Sequence, residues 1–290
     1  MNFAITPKSS DTPRGRRMRK GMFLLPSLFT TANIAAGFYA ITQTVAGSAM
    51  EPWHFDFAAK AIGFAVLFDG MDGAVARMTN TSTDFGRELD SLADVVTFGV
   101  APALLAWQWG FSHMPMVLNS DLRGPLMQIG IIACFLFLVA GAARLARFNI
   151  TNNPQPKNPG RPGGKYFVGM PIPGGAGCVA AVVHFRLGQP VQVWWISVVW
   201  ICYIVLIGFL MVSTWRFWSA KGIDVRRQHP ARLIVVLALI GYGVFEFHRY
   251  VLIAMALAYM VSGVLARVAY SLRRRSELPP APPQEVSGVS

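Results

Sequence analysis

Four aspartates in apolar surroundings are the residues of this chain best placed to do chemistry. Asp69 and Asp72 stand three apart and Asp90 and Asp94 four apart, so each pair projects from one face of a helix. The segment that holds them, DGMDGAVARMTNTSTDFGRELDSLAD, is flanked by the runs AAKAIGFAVLF and VVTFGVAPALLAW. Two such helices facing each other would form an oxygen-lined cage within a membrane. An isolated carboxylate at the bilayer centre costs about 2.5–3.5 kcal/mol on insertion scales, and acidic groups there mark functional sites. Divalent cations would offset that cost. All-carboxylate donors suit Mg2+, Mn2+ or Ca2+ and argue against zinc, which favours Cys and His.

The elements that must position these acids are transmembrane helices. Of 290 residues, 53% are hydrophobic and only 14% charged, and the mean hydropathy is +0.43, which excludes an ordinary soluble domain. Because a spanning helix needs about 20 mostly apolar residues, eight spans are expected, near 22–46, 54–77, 87–109, 125–147, 170–187, 191–213, 232–247 and 249–270. A tight turn at His248-Arg249 would separate the last two. The fold class is thus an all-α polytopic membrane protein, a six-helix bundle carrying the acidic stretch with a C-terminal helical hairpin added. A basic cytoplasmic tail over 1–21, the bundle over 22–213, a cytoplasmic loop over 214–231, the hairpin over 232–270 and a disordered tail over 271–290 complete the expected organisation.

The 26 basic residues exceed the 14 acidic ones and give a net charge of +12. They sit between apolar runs and near the ends, a positive-inside pattern rather than a nucleic-acid surface. Lys157, Arg161, Lys165, Arg216, Lys221, Arg226 and Arg227 fall in loops assigned to the inside, against Arg123, Arg186 and Arg249 outside. Both termini and the acidic turn at 78–86 would then face the cytoplasm. Cys134, Cys178 and Cys202 lie in apolar runs without metal spacing and read as packing residues. The five histidines, His54, His113, His184, His229 and His248, are scattered with no pair at ligand spacing, so they read as packed or interfacial. No Walker loop, dinucleotide glycine pattern or Ser/His/Asp order is present.

Two further groups stand out. Thr30, Asn33 and Gly37 share one helical stripe in the first span, where an Asn in lipid needs a partner. Arg144 and Arg147 end the fourth span in GAARLARFN. Their guanidiniums either snorkel to lipid phosphates or hold a phosphate or carboxylate bidentately.

The fixed positions Asp69, Asp72, Gly73, Ala76, Arg77, Gly86, Asp90 and Asp94 match the pattern D-x-x-D-G-x-x-A-R, eight residues, G-x-x-x-D-x-x-x-D. This resembles the signature of the CDP-alcohol phosphotransferases, membrane enzymes that move a phosphoryl-linked group from a CDP-alcohol to a second alcohol. RLARFN, YFVGMPIPGGAG (166–177) and MVSTWRFWSAKG (211–222) are similar to segments of the phosphatidylserine synthase branch, so the resemblance spans about Pro26 to Lys221. It implies CDP-diacylglycerol and L-serine as substrates, CMP as a product, two divalent ions (Mg2+ or Mn2+) and a homodimer in a bacterial cytoplasmic membrane. Asp69, Asp72, Asp90 and Asp94 would be metal ligands, with Asp94 also the catalytic base. Thr30, Asn33, Gly73, Ala76, Arg77 and Gly86 would line the CDP site, and Arg144 and Arg147 would hold a phosphate or serine. Another acceptor (glycerol 3-phosphate, inositol phosphate or choline) or a cation transporter remains open at this point.

Overall fold

The structure, a computed structural model, describes the backbone over residues 13–79, 84–114, 120–150, 166–218 and 230–276, and side-chain surroundings over 28–70, 85–114, 122–150, 167–217 and 246–272. Most of both tails, His229 and the loop cations Lys157, Arg161, Lys165, Lys221, Arg226 and Arg227 lie outside the described residues.

Each expected apolar run forms a helix. Helix α1 spans Pro13–Ala46, α2 Trp53–Thr79, α3 Asp84–Asp94, α4 Ala101–Trp107, α5 Ser120–Ile150, α6 Ile172–Phe185, α7 Trp194–Val212 and α8 Pro230–Ser276. Pro13 suits the first turn of α1, where its missing N–H would have no partner anyway. α6 is short because Pro171 and Pro173 set its start, proline being tolerated only in a first turn. It ends as the chain turns through left-handed Leu187 and Gly188. α8 continues to Ser276, past the expected end of the hairpin at 270, and it breaks at one residue, Phe247 (φ −121°, ψ 35°). That break stands in place of the tight turn expected at His248-Arg249.

α3 and α4 are one rod joined by a π-helical segment, Val95–Val100, with a second, Gln108–Ser112, after α4. Pro102 gives the reason for the first. It offers no N–H to the carbonyl four residues back and its ring crowds that turn. A widened turn relieves the clash. Thr97, fully buried inside this segment, donates its hydroxyl to the main-chain carbonyl of Asn33 on α1 at 3.0 Å. Gly37 makes that approach possible, since a Cβ there would stand 2.9 Å from the Cα of Thr97.

The all-α expectation needs one correction. Strands β1 (Tyr166–Val168) and β2 (Arg216–Trp218) pair antiparallel, Phe167 opposite Phe217. Both are rich in aromatic and β-branched residues, which favour a strand. Gly169 (φ +77°) turns the chain out of β1 into α6, and a Cβ there would lie 2.8 Å from the Ser213 carbonyl oxygen.

α1 lies along α2, α2 along α6 and α5 along α7, with α8 against α6 and β2. Small residues such as Ala40, Ala58, Ala61 and Ala65 are buried between them, which brings the backbones close, as membrane helices require. Phe64, Leu67, Ile131, Phe135, Val199 and Leu265 point outward, an apolar girdle fit for lipid. Four helices among the described residues are long and apolar enough to cross a membrane: Phe85–Ser112, Leu122–Ile150, Trp194–Val212 and Glu246–Leu272. The protein is a helical membrane protein.

Candidate active site

Asp69 lies on α2 and Asp90 and Asp94 on α3. One carboxylate oxygen from each lies within 4.8 Å of the others. The i, i+4 spacing places Asp90 and Asp94 on one face of α3, and that face meets Asp69 on α2. Asp94 is buried at 8% exposure, immediately before the π-helical segment, while Asp69 and Asp90 are half-buried. The fourth aspartate, Asp72, continues α2 one turn on; its side chain, like those of Gly73, Ala76 and Arg77, lies outside the described residues.

α1 supplies a polar wall. Thr30 and Asn33 are buried, and the Asn33 Oδ1 has no hydrogen-bond partner among the described residues. A buried amide oxygen without a partner costs about 1–3 kcal/mol. Gly86, half-buried, opens the first turn of α3.

The two arginines expected to act together do different things. Arg144, only 6% exposed, sits between two rings, its guanidinium carbon 5.1 Å from the Phe148 centroid and 5.9 Å from that of Phe167. Tyr259, Arg147, Asp94 and Asp69 are close enough to act on it electrostatically. Arg147 instead donates to the Val212, Val168 and Ser213 carbonyls at 3.0, 3.1 and 3.3 Å. It ties α5 to the end of α7 and to β1. Since β1 carries Phe167, Arg147 fixes one of the two rings against which Arg144 lies. Asn149 adds a further tie, donating to the Ser91 hydroxyl at 2.9 Å on the helix of Asp90 and Asp94.

Sequence reasoning missed three features, two of them in this region. A cation at a membrane edge reads the same whether it meets a phosphate or a carbonyl, so the role of Arg147 was hidden. The π-helical turn was signalled only by Pro102. The third feature lies elsewhere and corrects the view of scattered histidines: His184 meets both Asp56 and His248, at 2.6 and 2.7 Å.

The chain matches the profile of the CDP-alcohol phosphatidyltransferase family over residues 23–189. It is 34% identical over 227 residues to a CDP-diacylglycerol–serine O-phosphatidyltransferase of Helicobacter pylori (strain ATCC 700392 / 26695), covering 76% of this chain and 82% of that protein. It is 34% identical over 231 residues to the protein of the same name in Mycobacterium bovis (strain ATCC BAA-935 / AF2122/97), covering 78% and 72%. A shorter match, 38% identical over 148 residues and covering 50% and 48%, is to the Saccharomyces cerevisiae (strain ATCC 204508 / S288c) protein of that name.

Proposed function

This chain belongs to the CDP-alcohol phosphatidyltransferase family, and from that premise we propose that it transfers the phosphatidyl group of CDP-diacylglycerol to L-serine, giving phosphatidylserine and CMP. The observation that carries the reading is the convergence of Asp69, Asp90 and Asp94 from two helices. Three carboxylate oxygens so close form a hard donor set that fits a divalent cation, Mg2+ or Mn2+. Asp69, Asp72, Asp90 and Asp94 would hold two such ions, which when bound neutralise the pyrophosphate and stabilise the entering and leaving oxygens of an in-line displacement.

The chain's own residues supply the rest. Asp94, the most buried of the three, takes the proton of the serine hydroxyl. The serine oxygen bonds to the phosphatidyl phosphorus as that phosphorus parts from the CMP oxygen, and CMP leaves with the bonding pair. Arg144 holds an anionic group of the substrates, the serine carboxylate or the lipid-side phosphate, beside the acids. Arg147, with three of its five N–H donors on main-chain carbonyls, braces this arrangement and keeps two donors for the phosphate or serine carboxylate. Thr30, Asn33, Gly73, Ala76, Arg77 and Gly86 line the CDP side, where small residues admit phosphates close to the backbone.

In this reading six helices surround the site, the two parts of α8 form an added hairpin, and the chain crosses the membrane eight times as a homodimer. Both termini and the acids face the bacterial cytoplasm, as the loop charges direct. Cysteines placed at Ser48 should react with an impermeant reagent in intact cells and those at Thr81 should not; the reverse pattern overturns the orientation. For the reaction, the purified protein is given CDP-diacylglycerol and labelled L-serine with Mg2+ or Mn2+. Label should enter lipid as CMP appears. CMP release with glycerol 3-phosphate, inositol phosphate or choline, but not serine, would keep the chemistry and replace the acceptor.

A further inference from the structure

Away from the acids, four polar side chains from three helices form an unbroken series. Lys60 Nζ on α2 lies 2.8 Å from Asp56 Oδ2, Asp56 Oδ1 lies 2.6 Å from His184 Nδ1 on α6, and His184 Nε2 lies 2.7 Å from His248 Nδ1 on α8. Asp56 and His184 are buried, whereas Lys60 and His248 at the two ends are partly exposed. The group stands about 20 Å along α2 from Asp69, so it takes no part in the chemistry described above. It also fastens α8, a helix outside the stretch matched by the family profile, to the rest of the bundle.

Counting hydrogens shows what this series can do. Asp56 accepts, so His184 Nδ1 carries a hydrogen. With no added proton, neutral His184 presents a lone pair at Nε2 and His248 Nδ1–H donates to it. One added proton is also accommodated. It either completes an imidazolium at His184, balanced by Asp56 and now donating to His248, or sits on the outer nitrogen of His248. The second added proton leaves no lone pair between the rings: two N–H groups face each other across 2.7 Å and two like charges adjoin. The remaining charged groups facing the pair are Asp56 and Lys60 from α2 and Arg249 from α8, with only the carboxylate favouring further positive charge.

We propose that Asp56, His184 and His248 form a proton-operated latch for α8, closed with no or one added proton on the histidine pair and opened by the second. The bond is present at higher pH and is lost as pH falls. α8 also holds Tyr259 against the ring of Phe217, 5.7 Å away, and the Ala256 carbonyl against the Cys178 thiol at 3.7 Å. Opening the latch therefore loosens the helix that backs β2 and, through β1, the Phe167 wall of Arg144. In the orientation proposed above, the latch faces the outside of the cell, so external acidity is what it reads.

The test is hydrogen exchange in the full-length protein in lipid nanodiscs, corrected for intrinsic chemical exchange, between about pH 7.5 and about pH 5, the range in which an ordinary imidazole takes up its proton. Protection over 246–256 should fall by about tenfold or more on acidification while that over α7 holds. His248→Gln keeps a side chain that can either donate to or accept from His184 but takes up no proton, so its protection should stay high at both pH values. His248→Ala should be weakly protected at both. Wild-type protection that does not change with pH, or a His248→Gln variant that loses protection as the wild type does, overturns the latch. If His248→Ala does not fold, the glutamine variant decides alone, and because the readout is not turnover the result is independent of which acceptor the enzyme uses.

Discussion

Helix α2 carries a carboxylate near its start and another beyond its middle, and their surroundings are opposite in kind. Asp56 has Lys60 on one oxygen and His184 on the other. Asp69 is gathered with Asp90 and Asp94. The first set alternates acid with base; the second gathers three carboxylates from two helices, with the Arg144 guanidinium acting on two of them. Burial of an acid is thus a poor guide to its role. The sign of its neighbours separates a fastening from a site.

The largest test of this contrast is activity. Asp69→Asn and Asp90→Asn should lose both Mn2+ and CDP-diacylglycerol binding and reduce serine incorporation to background. If Asp94 is chiefly the base rather than a ligand, Asp94→Asn should still bind both ligands nearly normally and lose about 10²–10⁴-fold in rate, the range of a missing general base, with a residual rate that rises with pH as solvent takes the serine proton. Loss of metal by Asp94→Asn to the same degree as by Asp69→Asn would make it a ligand first. Asp56→Asn should leave metal binding intact.

Stability should show the contrast reversed, at a smaller scale. In chelator, Asp90→Asn lowers the like charge of the gathered carboxylates, so the unfolding temperature should change less than in Asp56→Asn. Asp56→Asn removes a buried charged acceptor from His184 and should lower it by an amount equivalent to about 1–3 kcal/mol. Equal falls for both variants would abolish the distinction.

Between the arginines the expected difference is about tenfold in one parameter. Arg144→Lys keeps the charge and loses the fork, and one charge-assisted bond is worth about 1.5–3 kcal/mol. If Arg144 holds the serine carboxylate, KM for serine should rise about tenfold with that for CDP-diacylglycerol moving less; an equal rise in both assigns it to the lipid-side phosphate. Arg147→Lys should leave the ratio of the two KM values unchanged and lower the unfolding temperature. Smallest is Thr97→Val, which removes one buried bond worth about 0.5–1.5 kcal/mol. The Mn2+ dependence of the rate should shift modestly upward, since Asp94 precedes the turn that Thr97 anchors, and the Asp56 end should not respond.

The acids were legible in the sequence because their spacing of three and four is a property of the helix itself, and the helices were legible because each long apolar run has one stable form in lipid. What stayed hidden has no local code. Asp56 and His184 lie 128 positions apart and His184 and His248 lie 64 apart, so only packing of α2, α6 and α8 brings them together. β1 and β2 are three residues each, too short for alternation to register. The profile of Arg147 matches that of Arg144 one turn earlier, and only the carbonyls around it tell the two apart.

Those carbonyls belong to residues made much later than the guanidinium they receive. Val168 follows Arg147 by 21 positions, and Val212 and Ser213 by 65 and 66. During biosynthesis, α2 and the helix of Asp90 and Asp94 are delivered to the bilayer well before α7 is, and β1 waits for β2 to emerge behind it. A nascent chain ending near residue 200 would therefore contain every acid of the site but leave Arg147 without two of its three acceptors. The acids are thus synthesised before two of the three carbonyls that hold Arg147.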